Sequence, residues 1–153
     1  MQLFLKFFDL FKSKSDSSAN NNFDGIIAAK VLDVQKHPNA DRLRIIKVDV
    51  GDRVIEPIVC GAFNFTVGDV VALALPGAKI AQDIHSSDHK PFTLEKAKIR
   101  GIESQGMICA AFELGLSDEP GKPARRSLGE GGGIMLLKDG IKPGSQFMAE
   151  MIK

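Results

Sequence analysis

The sequence predicts an all-β fold, a small curled barrel of five strands, on three observations. Apolar residues recur at a period of two in short runs, as strands with one buried face require. Gly and Pro punctuate those runs at close intervals, and little of the chain between them carries a helical period. Two long runs change their inward parity once, which is how a bulge curls a small sheet towards closure.

Residues 1–12 precede the barrel. They carry Phe4, Phe7, Phe8 and Phe11, with Lys6, Asp9 and Lys12 three apart, so the charges share one helical face. A helix packed on its own domain or a frayed terminus is the plainer expectation, and a helix docked on a partner or membrane surface the other. Charges interrupt the segment too soon for a signal-peptide core, and no small-residue cleavage site follows. Residues 13–22 (SKSDSSANNN) form a polar linker, so residues 1–22 are set apart and the domain is expected over 23–153.

The first strand is expected over residues 26–35, apolar at 27, 29 and 31 and then at 32 and 34. The second, over 43–50, is apolar at 43 and 45 and then at 46, 48 and 50. The third covers 54–60, where Pro57 demands an edge or a bulge because it lacks an N–H. The fourth, over 69–75, is continuously apolar after Asp69 and is expected to be buried on both faces. The fifth runs over 92–100. A short C-terminal helix is expected after Ser145 as cap, with Phe147, Met148, Met151 and Ile152 on its apolar side. Residues 118–132, rich in Gly, Pro and charge with no apolar period, are expected to be a disordered insertion, within which Arg125 and Arg126 offer unspecific RNA contacts.

Composition narrows the function. A length of 153 residues allows one domain with tails, and no run approaches the roughly 18–20 apolar residues of a membrane-spanning helix. A net charge of +1 excludes a generally basic nucleic-acid coater, so any such binding must come from local clusters. With no Trp or Tyr, base stacking would fall to Phe, His or Arg. The two cysteines, Cys60 and Cys109, lie in apolar runs without a CxxC or His partner, and are expected to be buried, reduced thiols of a cytoplasmic protein.

Chemistry concentrates in residues 96–107. Strand parity puts Lys96, Lys98 and Arg100 on one face, about 6.6–6.8 Å apart, with Ala97 and Ile99 on the other, expected to point into the barrel. A Gly-framed turn with Ser104 and Gln105 follows. Such a face suits a sugar-phosphate backbone, although a solvated strand with an ordinary turn would look alike. Arg42, Arg44 and Lys47 are read as exposed cations able to add phosphate contacts. Asn39 and Asp41 follow Pro38 in a turn, where both residue types commonly bond their own backbone. Asn39 also offers two donors and an acceptor to a nucleotide, whereas Asp41 would repel phosphate and is expected to order the turn or pair with Arg44. Met107 is either a polarizable contact to a base or a core residue.

Asp83, His85, Asp88 and His89 carry metal-ligand chemistry, but such spacing is common in loops and no metal is expected. Neither a nucleophile–base constellation nor a GxxxxGK[ST] loop occurs, so no catalysis and no cofactor are expected.

The segments 37–51 (HPNADRLRIIKVDVG) and 96–107, with Ile58-Val59-Cys60-Gly61-Ala62, Leu75-Pro76-Gly77-Ala78, Glu113-Leu114-Gly115-Leu116 and Gly133-Ile134-Met135-Leu136-Leu137, resemble the tRNA-binding domain near the N-terminus of the bacterial phenylalanyl-tRNA synthetase β subunit. Small free-standing tRNA-binding proteins share it. The resemblance covers residues 23–137 and implies an OB fold, tRNA as partner and no catalytic centre of its own. It also implies RNA contacts at Asn39, Ser104 and Met107, and no metal at the Asp83–His89 loop. In place of a Trp-Leu pattern the leading segment carries phenylalanines, which suits a free-standing or fragmentary gene. A rival reading is an interaction module that recruits a synthetase subunit or forms a homodimer, with RNA affinity incidental.

Overall fold

The computed structural model describes residues 23–83, 87–88, 90–116 and 133–153. The helix expected over 1–12, the linker over 13–22, the insertion over 118–132, and His85 and His89 lie outside them.

The described residues are all-β apart from two 3-10 turns, Phe112–Leu114 and Ala149–Met151, and their centre is one curled six-stranded antiparallel sheet. Strands β1 (Ile26–Lys36), β2 (Arg44–Asp49), β3 (Val54–Cys60) and β4 (Val70–Ala74) match the first four expected runs. Strands β5 (Lys79–Ile80) and β6 (Phe92–Thr93) form one small ribbon, and β7 (Ala97–Ile99) and β8 (Ile102–Ser104) form another. The order in the main sheet is β10-β4-β1-β2-β3, where β10 is Leu136–Leu137, and β9 (Met107–Ile108) joins β4 beside it.

The fifth expected strand, over 92–100, is not one element. Leu94 exchanges backbone bonds with the 77–78 turn, donating its N–H to the Ala78 carbonyl and accepting from Gly77. That ties Phe92 and Thr93 to β5, and the chain then leaves through Glu95 and Lys96 before β7 begins. Two charges in a row have no covering layer to enter, which separates the runs on either side.

Parity reads the curl correctly in β1. The β1–β2 register shifts between Val31 and Asp33, where Leu32 bulges out and is 38% exposed. Ile27, Ala29 and Val31 therefore face the inner core, and after the bulge Val34 does. The second slip is placed differently from expectation. β2 alternates regularly, with Ile46 and Val48 inward, and it is β3 that slips, Glu56 and Pro57 together opposing Lys47. Ile55, Ile58 and Cys60 thus all reach the same core. Pro57, lacking a donor, sits where the ladder is already interrupted.

β4 is buried on both faces, as its continuous apolar run requires. Val71 and Leu73 face the inner core with Ile46, Ile58 and Phe65, while Val70, Ala72 and Ala74 face a second core with Ile26, Ile80, Leu137 and Phe147. Phe23 closes that second core, its ring edge-on to Phe147 at 4.9 Å. The segment from Gln105 to Ile108 spans the open side of the curl. Gln105 donates its N–H to the Pro57 carbonyl at one end, and Met107 and Ile108 pair with Ala74 and Leu73 at the other.

The expected C-terminal helix is replaced by extended chain. Residues 144–147 run along the free edge of β1: Gly144 donates to the Ala28 carbonyl, Ala28 to that of Ser145, and Phe147 to that of Ile26. The Ser145 hydroxyl donates to the Lys142 carbonyl instead of capping a helix. Only a single 3-10 turn, Ala149–Met151, remains, before Lys153 donates to the Leu136 carbonyl. An unpaired β1 edge outbid a weak helical period. Both cysteines are free and buried. Burial pushes the Cys60 thiol up to about 11 and the Cys109 thiol well above its usual range.

Candidate nucleic-acid interface

Residues 97–104 form a hairpin with a two-residue turn. Arg100 (φ 51°) and Gly101 (φ 91°) both take positive φ, as the tight hairpin turn with matching right-handed twist demands. Arg100 is thereby lifted out of the strand, so parity with Lys96 and Lys98 does not govern it. Ala97, Ile99, Ile102 and Ser104 share one hairpin face by register, and Lys98 lies directly across from Glu103 on the other. Lys96 precedes the strand and is exposed, as are Lys98 and Arg100. Ala97 is exposed as well and Ile99 only half-buried, so neither enters the core, contrary to expectation.

A second turn docks on this hairpin, and a histidine makes the joint. His37 is 1% exposed. Its Nδ1 accepts the backbone N–H of Asn39 at 2.9 Å, which leaves the ring proton on Nε2 to donate to the Ile99 carbonyl at 3.1 Å. Asn39 Nδ2 donates to the Arg100 carbonyl at 3.2 Å. Two of these bonds cross from the turn after β1 to the tip of the β7–β8 hairpin and the third orders the turn itself, so the two form one unit with Asn39 and Arg100 exposed upon it. Sequence reasoning singled out Asn39 but passed over His37. A histidine between a strand end and a Pro-Asn turn was the available signal, since a buried imidazole needs two partners.

Ser104 is 4% exposed, and its hydroxyl is committed on both sides. It accepts from the Val59 N–H and donates to the Gly106 carbonyl, each at 2.9 Å, so it ties β8 to β3. Gln105 is half-buried, its side chain donating to the Glu103 carbonyl at 3.3 Å. Met107 is half-buried against the second core. Exposed Arg42 stands in the turn with Asn39, whereas Asp41 pairs with Lys36 at 3.8 Å and not with Arg44. Lys47 faces outward, 3.7 Å from Glu56 in a surface pair worth little in stability.

Arg44 is the clearest departure from expectation. It shares the inward parity of Ile46 and Val48 at the end of β2, and it is half-buried. Its Nη2 donates to the carbonyls of Ala62 and Phe65, both at 3.0 Å, while the guanidinium carbon lies 4.7 Å from the Phe63 ring centre and 4.6 Å from that of Phe65. Burial lowers its pKa below the usual guanidinium range, the Cys60 thiol acting the other way. Among the described residues no cluster of three metal-ligating side chains occurs, and Asp88 pairs with Lys90 at 3.6 Å. No described helix is long and apolar enough to cross a membrane.

Residues 26–126 match a family described as a putative tRNA binding domain. Over 97 residues the chain is 52% identical to the phenylalanine–tRNA ligase beta subunit of Dechloromonas aromatica (strain RCB), covering 63% of this chain and 11% of that protein. It is 48% identical over 99 residues to the same subunit of Ralstonia nicotianae, with 65% and 12% covered. For Syntrophotalea carbinolica the identity is 39% over 121 residues, with 79% and 13% covered. The chain therefore spans no more than 13% of the length of these relatives. The C-terminal domain of Plasmodium vivax p43 aligns with a TM-score of 0.48 at 23% identity, over 80% of this chain and 58% of that one, a likeness too slight to argue from.

Proposed function

This chain belongs to the putative tRNA binding domain family, and we propose that it binds tRNA through the joined tip of Asn39, Arg100, Lys98 and Lys96, without catalysing a reaction itself. One observation carries the reading: His37 and Asn39 bond the two turns together, so cations and an exposed amide from segments about 60 residues apart present one fixed surface. Preorganised donors lose little entropy on binding phosphate and sugar. Arg42 extends the surface along the first turn. Arg44, Ser104 and Met107 act behind it, holding the end of β2, the β8–β3 joint and the β9 pairing in place. Gln105 and Lys47 lie at its margins.

The curled sheet, with residues 105–108 bonded to β3 and β4 across its open side, supports an OB barrel, a fold that presents one strand face and its loops to nucleic acid. We take the domain to run from Phe23 to Lys153, in the cytoplasm. Service to a phenylalanine–tRNA ligase is part of the proposal, on the strength of the relatives named above. The ligase chemistry would lie in other parts of such an assembly.

A tRNA titration across salt tests the function. Binding is expected to weaken steeply as salt rises, because phosphate contacts act through counterion release. Replacing Lys96, Lys98 and Arg100 together by Gln should flatten the log–log slope by about one unit per lost phosphate contact and leave the melting temperature unchanged. If the triple variant bound like the parent, the tip would not be the RNA surface. Size exclusion of the same sample, alone and with a synthetase subunit, reads whether a second copy or that subunit is a partner.

A further inference from the structure

We propose that Phe63 is a stacking platform for one unpaired nucleobase of the bound RNA. The inference rests on the tRNA-binding reading and adds to it a base contact where the tip supplies backbone contacts. Phe63 lies in the connection between β3 and β4 and is 43% exposed, while every other phenylalanine among the described residues is buried or half-buried. One ring face is taken by the Arg44 guanidinium, so the exposure belongs to the opposite face and the rim.

The platform is fixed before any ligand arrives. Arg44 is held by the carbonyls of Ala62 and Phe65 and by the buried Phe65 ring. Next to Phe63 in the chain, Asn64 bonds the backbone of Ile134 twice, its Nδ2 donating to the carbonyl at 2.9 Å and its Oδ1 accepting the N–H at 3.1 Å. An immobilised ring binds a flat partner at low entropic cost. A positive charge held against one face also draws electron density from the ring, which favours an electron-rich surface such as a base on the other. The platform belongs to the same end of the barrel as the tip: a Cβ built on Gly61 would lie 3.5 Å from Leu43 and 3.8 Å from the Arg42 carbonyl, so this connection runs beside the turn that carries Asn39. Stacking requires a base free of its helix, as in the loops and corner of a folded tRNA and not in uniform duplex.

The chain contains no Trp or Tyr, so Phe63→Trp introduces a single reporter at the site. Its fluorescence is expected to be quenched on saturation with tRNA or a short single-stranded oligonucleotide, but not with an abasic oligonucleotide of equal length. Phe63→Ala should weaken tRNA binding about tenfold, within the range of base–aromatic stacking, and keep the parent's salt slope since no phosphate contact is lost. Phe63→Leu keeps an apolar cover on Arg44 without a π face, and should lose as much as the alanine variant. Full affinity in Phe63→Leu, or an unquenched tryptophan in a complex shown to be saturated by retardation on a gel, would overturn the platform and leave the tRNA reading standing. A parent chain that fails to bind tRNA would remove both.

Discussion

The curled sheet and the proposed RNA-binding tip are held together by different means. In the body, β1 to β4 share backbone ladders, and their side chains fill two cores on either side of β1 and β4. At the tip, the turn after β1 meets the β7–β8 hairpin through two side chains, His37 and Asn39. A ladder spreads its stability over many residues, whereas a joint of two crossing bonds concentrates it in two side chains. The surface can therefore change by single substitutions that the fold barely registers.

The contrast breaks most visibly in the body. Leu73→Ala, at a fully buried position of β4 facing the inner core, should cost about 2–5 kcal/mol of unfolding free energy, measured by urea titration. Ser104→Ala comes next. It leaves the buried Val59 N–H without its acceptor, and should lower stability by about 1–3 kcal/mol. Its effect on RNA binding should be the smaller one at temperatures where the variant is folded, since the hydroxyl faces inward. His37→Ala separates stability from function in the opposite sense. It should cost about 1–2 kcal/mol in the same titration but weaken tRNA binding disproportionately, by freeing Asn39 from Arg100. Equal tRNA affinity in that variant would show that the joint does not organise the surface.

The smallest effects sharpen the picture. Glu103→Gln removes a carboxylate directly opposite Lys98 and should raise tRNA affinity a few-fold at low salt, an effect lost at high salt. The cysteines give a pH signature. Cys60 in the folded chain is pushed up to about 11 from an ordinary 9.0 because burial disfavours the thiolate. A raised folded value means that the stability is present in full below pH 9 and is lost as pH climbs towards 11. Unfolding midpoints between pH 8 and 10.5 check this, and the Cys60→Ala chain should lose less over that interval.

Much of the body was legible in the sequence because burial on one or two faces writes itself into period. The slip at Val31 and Leu32 announced the β1 bulge, and the unbroken run of β4 announced its two cores. Arg44 was misplaced because a parity slip was read between Ile45 and Ile46, which turned it outward; β2 alternates without a slip, so Arg44 shares the inward parity of Ile46 and Val48. The rings of Phe63 and Phe65 that receive it are about 20 residues away and invisible to a local period. The C-terminal helix failed for a related reason: only the assembled sheet has the empty β1 edge that captures residues 144–147. Ile99, read as core, lies on a two-stranded hairpin too narrow to cover it, so a charge there should be tolerated better than at a core position.

That captured edge has a consequence for handling the protein. At the far end from the tip, the turn at Gly51 and the chain at Gly144 meet backbone to backbone: a methyl group on Gly51 would come within 2.7 Å of the Pro143 carbonyl oxygen, and φ at Gly144 is 94°. Residues 144–147 thus act as a built-in selvedge on a strand whose N–H and C=O groups would otherwise face outward. A chain shortened after Leu137 would keep the whole proposed RNA tip and uncover Phe23, Ile26 and Ala28 together. Such a piece would recruit replacement strands from its neighbours and be lost to aggregation before its affinity could be measured.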